Sequence, residues 1–307
     1  MKRYTNILGA LATAVLLLSG CVKQQAAWTP MNIAFRPLIG HDTRAVESVP
    51  FPQDRNFNVW AAGQTSVELY IDGEEISYGA DGWTSSKLWP RYELNFEACW
   101  PTDLPMEYSL NRGLQLKDFD CSEGDIDILF ARTSEVNDKD GTAVLRFDHL
   151  LSRVDFRMTH SLPEGMSVRV KSMVMKGFAS KGDFNIGARY GWTIGNSDFS
   201  YTIYNAAQTD DDGASVISGY ANYIGDEFYA IPQVCTASLE VSYEIRSGNA
   251  GWVPQTDIIK SLDTCWEASK HYTYTINLRM DKMTHTTGIS SWNNREELLS
   301  RTMLSDL

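Results

Sequence analysis

The sequence predicts an all-β protein built from antiparallel sandwiches, and three observations carry that reading. Apolar and polar residues alternate with period two in several runs, as in strands with one face in the core and one in solvent. Turn signals punctuate these runs, at Asp72-Gly73, Asp81-Gly82, Asp140-Gly141, Pro163-Glu164-Gly165 and Asp212-Gly213. Helical periodicity is almost absent from the body of the chain. Many short strands joined by Gly-bearing turns pack sheet on sheet.

Taken in chain order, the first element is a targeting segment. Lys2 and Arg3 precede an apolar run from Ile7 to Leu18. A bilayer span takes roughly twenty residues, so this run is too short to cross and suits a secretory signal over residues 1–20. It ends in Leu18-Ser19-Gly20-Cys21, which is similar to the lipobox of bacterial lipoproteins. That similarity implies an acyl chain such as palmitate on Cys21, and a tether to the outer membrane at the cell surface.

A leader of residues 21–44 follows. Within it Met31, Ile33 and Phe35 alternate with Asn32 and Ala34, a short strand closed by Arg36-Pro37. The polar stretch after it carries Arg44-Ala45 in what reads as an exposed loop. Further on, Tyr92, Leu94, Phe96, Ala98 and Trp100 point one way, with Glu93, Asn95 and Glu97 between them. The polar stretch 134–143 is the expected boundary between a domain of residues 45–143 and one of residues 144–292, each expected to fold alone. In the second, Leu239, Val241, Tyr243 and Ile245 alternate with Glu240, Ser242 and Glu244. Tyr272, Tyr274, Ile276, Leu278 and Met280 do the same. Residues 293–307 form a short tail in which Leu298, Leu299, Met303 and Leu304 fall at helical spacing.

Composition removes several function classes. The net charge of -12 leaves no counterion-release gain on DNA or RNA, so no nucleic-acid partner is expected. The four cysteines past the signal, Cys99, Cys121, Cys235 and Cys265, lack CxxC spacing. Export permits disulfides, and pairing within each half or burial as free thiols are both open. Aligned on an EF-hand loop, "VNDKDG" would put Val136 and Phe147 at ligand positions, and neither can ligate, so it reads as a turn. Asp210-Asp211-Asp212 reads as a solvated loop. The five histidines show no HExxH pairing, and no nucleophile elbow or phosphate loop is present. No enzyme, cofactor or metal is expected. His149, beside Phe147 and Leu150, reads as a packed core histidine.

Several motifs in order then carry a resemblance: "TRA", "FNVWAAG", "GWTSSKLWPRYELNFEACWP", "DIDILFAR", "LRFDHLLSRVDFRM", "FYAIPQ" and "WEASKHYTYTINL", ending near Trp292. Trp83, Trp89-Pro90, Phe147, His149, Pro232-Gln233, Trp266, Tyr272 and Tyr274 take the places of the family's motif residues. The chain resembles the fimbrillin family of Bacteroidetes, the subunits of type V pili. Ala268-Ser269-Lys270 departs from it, because the family usually has glycine before that lysine.

The resemblance implies two tandem transthyretin-like sandwiches. It also implies cleavage at Arg44-Ala45 by an arginine-specific protease and loss of the strand around Met31, Ile33 and Phe35. Donor-strand exchange with other fimbrial subunits would follow. The tail lacks alternation and is a poor donor strand, which favours a tip or minor subunit. The expected function is a structural or adhesive subunit of a surface polymer, facing host or bacterial surface ligands. The alternative is a monomeric lipoprotein that stays tethered through Cys21 and binds glycan or protein through its loops.

Overall fold

The computed structural model describes residues 31–40, 48–64, 68–186, 191–208 and 212–292. Cys21, Arg44, Ala45 and the tail leucines lie outside them. Every regular element among the described residues is a strand. The first half supplies β1 (Asn32–Ile39), β2 (Val49–Pro50), β3 (Phe57–Gly63), β4 (Leu69–Ile76), β5 (Tyr78–Gly79), β6 (Gly82–Leu88), β7 (Leu94–Trp100), β8 (Met106–Ser109), β9 (Gly113–Asp120), β10 (Leu129–Val136) and β11 (Thr142–His149). The second half supplies β12 (Ser152–His160), β13 (Met166–Phe178), β14 (Lys181–Asn185), β15 (Gly191–Ile194), β16 (Phe199–Asn205), β17 (Ala214–Val216), β18 (Asn222–Tyr223), β19 (Phe228–Ala230), β20 (Val234–Ser247), β21 (Val253–Cys265), β22 (Lys270–Leu278) and β23 (Met283–Ser291).

Nine strands make one sheet in the order β4-β3-β7-β10-β11-β1-β6-β5, with β2 paired to β1. This sheet folds over on itself, so that aromatic rings from separated strands meet. Phe35 of β1 stands edge-on to Phe57 of β3 at 6.3 Å and to Phe96 of β7 at 5.7 Å. Trp83 of β6 lies 5.1 Å from Phe57. The enclosed face is the first core, with Ile33, Phe57, Leu94, Phe96, Leu145 and Phe147 fully buried. A second core lies between β18-β12-β22-β23 and β16-β13-β20-β21, where Phe156, Phe178, Leu239, Trp266 and Tyr274 pack together. Pairing is mostly antiparallel, but β1 runs parallel to β11 and β12 parallel to β22.

The alternation held where one face meets solvent. Leu239, Val241 and Tyr243 are buried while Glu240, Ser242 and Glu244 face outward half-buried. Tyr272, Tyr274, Ile276 and Leu278 are buried, but Met280 falls past the strand and is 70 % exposed. On β7 the expected inner residues Leu94, Phe96 and Ala98 join the first core, while Tyr92 precedes the strand and is half exposed. Glu97, on the face expected to be wet, is buried, and so is Cys99 beside it. A four-stranded sheet, β15-β14-β9-β8, covers that face.

This covering sheet takes β8 and β9 from the first half and β14 and β15 from the second. Its core joins Trp60, Leu116 and Phe130 to Phe184, Tyr229, Ile231 and Trp292. The 134–143 stretch is therefore no gap between domains. It is the hairpin between β10 and β11, which pair in register from Leu129↔His149 to Ala131↔Phe147. The Asp140 N–H donates to the Asn137 carbonyl at 3.1 Å, and Gly141 takes a positive φ of 71°, the turn geometry its sequence favours. The chain leaves the first sheet only after His149, at Leu150-Leu151, so a domain of residues 144–292 would tear β11 from its sheet.

The four cysteines among the described residues, Cys99, Cys121, Cys235 and Cys265, are free thiols. Cys99 and Cys121 lie in the shared core, where burial pushes their thiols up to about 12 and about 11.

Glu97 is the buried carboxyl that ties β7 to the covering sheet. It accepts the Leu114 N–H at 2.8 Å, and the Arg132 Nε lies 3.6 Å away. Burial raises its pKa above 4.5, against the lowering effects of the Leu114 hydrogen bond and Arg132. The folded state thus holds this proton more tightly than the unfolded chain does. Its contribution to stability is greatest below pH 4.5 and declines as pH rises through that value toward the folded pKa. Glu97→Gln removes this titration. Urea midpoints at acid and neutral pH should fall less for the variant than for the wild type across that interval, and equal slopes would contradict the assignment.

Candidate functional site

The site is the slot that β1 fills. The inward residues of β1 are Ile33 at 0 %, Phe35 at 5 % and Ile39 at 1 % exposure, with Pro37 buried between them. The strand does not close at Arg36-Pro37, as its sequence suggests, but runs on to Ile39. Proline is tolerated because the Pro37 carbonyl, which accepts the Phe51 N–H at 3.2 Å, points to the side where β6 has ended and β2 has barely begun. The missing Pro37 N–H falls at the end of the two-residue strand β2, so the ladder forgoes a single terminal bond. Met31 is a correction: it lies before the strand and is 53 % exposed, so it fills no core space.

Both edges of β1 are paired. On one side it runs parallel to β11, from Ala34↔Thr142 to Ile39↔Phe147. On the other it pairs antiparallel with β6 at Asn32↔Leu88 and Phe35↔Trp83, and with β2 at Leu38↔Pro50 and Ile39↔Val49. The ends are fastened by Trp89 N–H to the Met31 carbonyl at 2.8 Å and Gly40 N–H to the Phe147 carbonyl at 2.7 Å. Asn32 adds a side-chain bond from Nδ2 to the Ser85 carbonyl at 2.8 Å. Taking β1 out would expose the facing edges of β11 and β6 and three apolar sockets between them.

The segment bearing Arg44 and Ala45 joins two strands that are themselves neighbours, since Ile39 pairs with Val49. A cut there would leave β1 held only by its hydrogen bonds and its buried side chains.

The remaining sequence candidates stay apart from this slot. His149 is 3 % exposed, with Nδ1 at 2.9 Å from Asp127 Oδ2 and its ring stacked 3.7 Å from Trp292. That is a satisfied core histidine. Asp212 is 98 % exposed and lies 3.9 Å from Arg169 Nη1. Among the described residues no group of three or more His, Cys, Asp or Glu is placed to hold a metal ion. Sequence reasoning missed Ile39 and β2; the apolar residues Leu38-Ile39 after the proline were the available signal.

With this geometry in hand, the chain can be set beside known proteins. A fimbrillin-like family model matches residues 43–292. Among solved structures, a fimbrial protein from Bacteroides vulgatus is 14% identical, with a TM-score of 0.60 over 86% of this chain and 100% of that one. A candidate cell adhesion protein from Bacteroides ovatus is 15% identical, with a TM-score of 0.53 over 86% of this chain and 99% of that one. Another from Bacteroides uniformis is 13% identical, with a TM-score of 0.53 over 85% and 98%. No curated protein matches. At such identities the structures establish a shared fold, whereas the family match spans most of the sequence. The chain belongs to the fimbrillin-like family, whose role is structural rather than enzymatic.

Proposed function

We propose that this protein is a structural or adhesive subunit of a fimbria-like surface polymer, exported as a lipoprotein precursor and armed by loss of its leader. The observation that carries the reading is the place of β1: interior to a sheet, yet attached to the rest of the chain only through the short segment that holds Arg44. An interior strand leaves two unpaired edges behind, and such edges are templates for a strand from another chain. An intact precursor has the slot filled and is a storage form.

The lipid anchor rests on the signal and the Leu18-Ser19-Gly20-Cys21 sequence. Cys21→Ala should abolish fatty-acid labelling and membrane fractionation of the precursor in cells; labelling that persists would place the lipid elsewhere. Mass spectrometry of the N-terminus from cells separates the two functional readings. A chain starting at Ala45 is a processed polymer subunit, and a population that starts only at lipidated Cys21 is a tethered monomer.

A further inference from the structure

The far end of the second sandwich carries a groove of about 590 Å³, lined among others by His160, Ser167, Ser215, Ser218, Arg246 and Trp252. Its position follows from the topology. β12 leaves the first sheet at Leu151 and ends at His160, level with Leu278 of the parallel strand β22. The turns after β12 and β20 lie at this end, opposite the crossing into the first sheet. The groove is thus remote from the β1 slot, and filling that slot would leave it open.

Its charge is unusual for this chain. Arg169 and Arg246 project from the same face of neighbouring strands, since Ser167 pairs with Arg246 and Arg169 with Glu244. The Arg169 Nε is paired with Glu244 Oε2 at 2.6 Å. Arg246 has no carboxylate within ion-pair distance among the described residues, and its Nε is shielded from solvent without a hydrogen-bond partner. The Trp252 ring centre lies 4.4 Å from its guanidinium carbon and holds it in place. A fixed cation without an ion-pair partner, in a protein of net charge -12, is an anion-selecting feature.

The surroundings narrow the anion. Three serines line the groove, and the loop that brings Ser218 presents Ile217 at 52 % and Tyr220 at 66 % exposure beside it. Hydroxyl donors and acceptors next to exposed apolar and aromatic surface suit a sugar, which offers hydroxyls on its edge and C–H groups on its faces. The volume falls in the range of about 300–1,000 Å³ typical of small-ligand sites. Exposed Glu164 on the lip, and the overall negative charge, disfavour a polyanion. We propose that this groove binds a saccharide bearing a single carboxylate, a sialic or uronic acid unit, with the carboxylate on Arg246 and the hydroxyls on the serines.

The test is ligand-observed NMR titration of the full mature chain with N-acetylneuraminic acid, glucuronic acid and galacturonic acid. Lactose serves as the neutral control and acetate as the charge-only control. At least one acidic sugar should bind saturably and more tightly than lactose and acetate. Arg246→Gln should weaken it by about tenfold, the size of one charge-assisted hydrogen bond, with an unchanged circular dichroism spectrum. Ser218→Tyr, at an exposed position, should block the groove without touching the charge and supplies the answer if Arg246→Gln misfolds. No binding of any acidic sugar, binding matched by lactose or acetate, or binding that survives either folded variant would each overturn the proposal. The titration needs no polymer, so its failure leaves the strand-exchange reading untouched, and the reverse also holds.

Discussion

Incubating the folded precursor with an arginine-specific protease should cut after Arg44, and residues 21–44 should then leave only when another strand takes their place. Ile33, Phe35 and Ile39 are buried to 5 % exposure or less. At about 1.5–3 kcal/mol for each such side chain, β1 contributes roughly 5–9 kcal/mol before its hydrogen bonds are counted. That is comparable to the whole stability of an ordinary domain, about 5–15 kcal/mol. A cut chain will therefore keep β1 for long periods on its own. Added partner subunits, or a synthetic peptide of residues 31–40 in excess, should displace it, releasing the leader and giving oligomers with the former and a labelled monomer with the latter. Ile33→Asp with Phe35→Asp in the peptide should abolish its uptake, because the sockets are apolar. A cut chain that keeps its leader and stays monomeric under both conditions would make Arg44 an ordinary linker residue and favour the tethered lipoprotein.

Trp292→Ala should destabilise the protein by about 3–5 kcal/mol, the range for removing a buried large aromatic ring. Trp292 is 5 % exposed and closes the core that the two halves share. Its ring stacks 3.7 Å from that of His149 and 5.1 Å from that of Tyr229. Its backbone N–H donates to the Ser269 carbonyl at 3.1 Å, and Ser269 Oγ donates to the His149 carbonyl at 2.9 Å. The substitution thus loosens the end of β23 from the crossing between the sheets. Urea unfolding measures the loss, with Ile289→Ala as the control. Ile289 lies three residues earlier, on β23, and is 63 % exposed, so its change should stay within about 0.5 kcal/mol. Equal costs for the two substitutions would show that the stack adds nothing to the shared core.

The two experiments probe features that differ in how far the sequence announced them. That residues 32–35 form a strand with Ile33 and Phe35 inward is local information, written in the alternation itself. The same holds for β20 and β22, whose inner and outer faces follow the pattern residue by residue. The turn at residues 137–141 was equally legible, because Asn, Asp and Gly carry its hydrogen bonds and its positive φ locally.

What escaped the sequence depends on partners far along the chain. Period two reports that a strand has an apolar face, but not which strand lies beside it. That β1 sits between β11 and β6, and runs parallel to the first, is settled by which edges remain once the sheet folds over Phe35, Phe57 and Phe96. Glu97 read as part of the solvent face of β7 because nothing nearby in sequence reveals the covering sheet, half of which arrives with β14 and β15. The boundary at 134–143 failed for a related reason: polar turns look alike whether they join two domains or two strands of one sheet. The amino-acid sequence thus determined the strands, their faces and their turns, which short-range sterics and alternation decide. Tertiary packing alone decided that one of those strands, β1, is interior to its sheet, since only the assembled sheet defines which edges lie on either side of it.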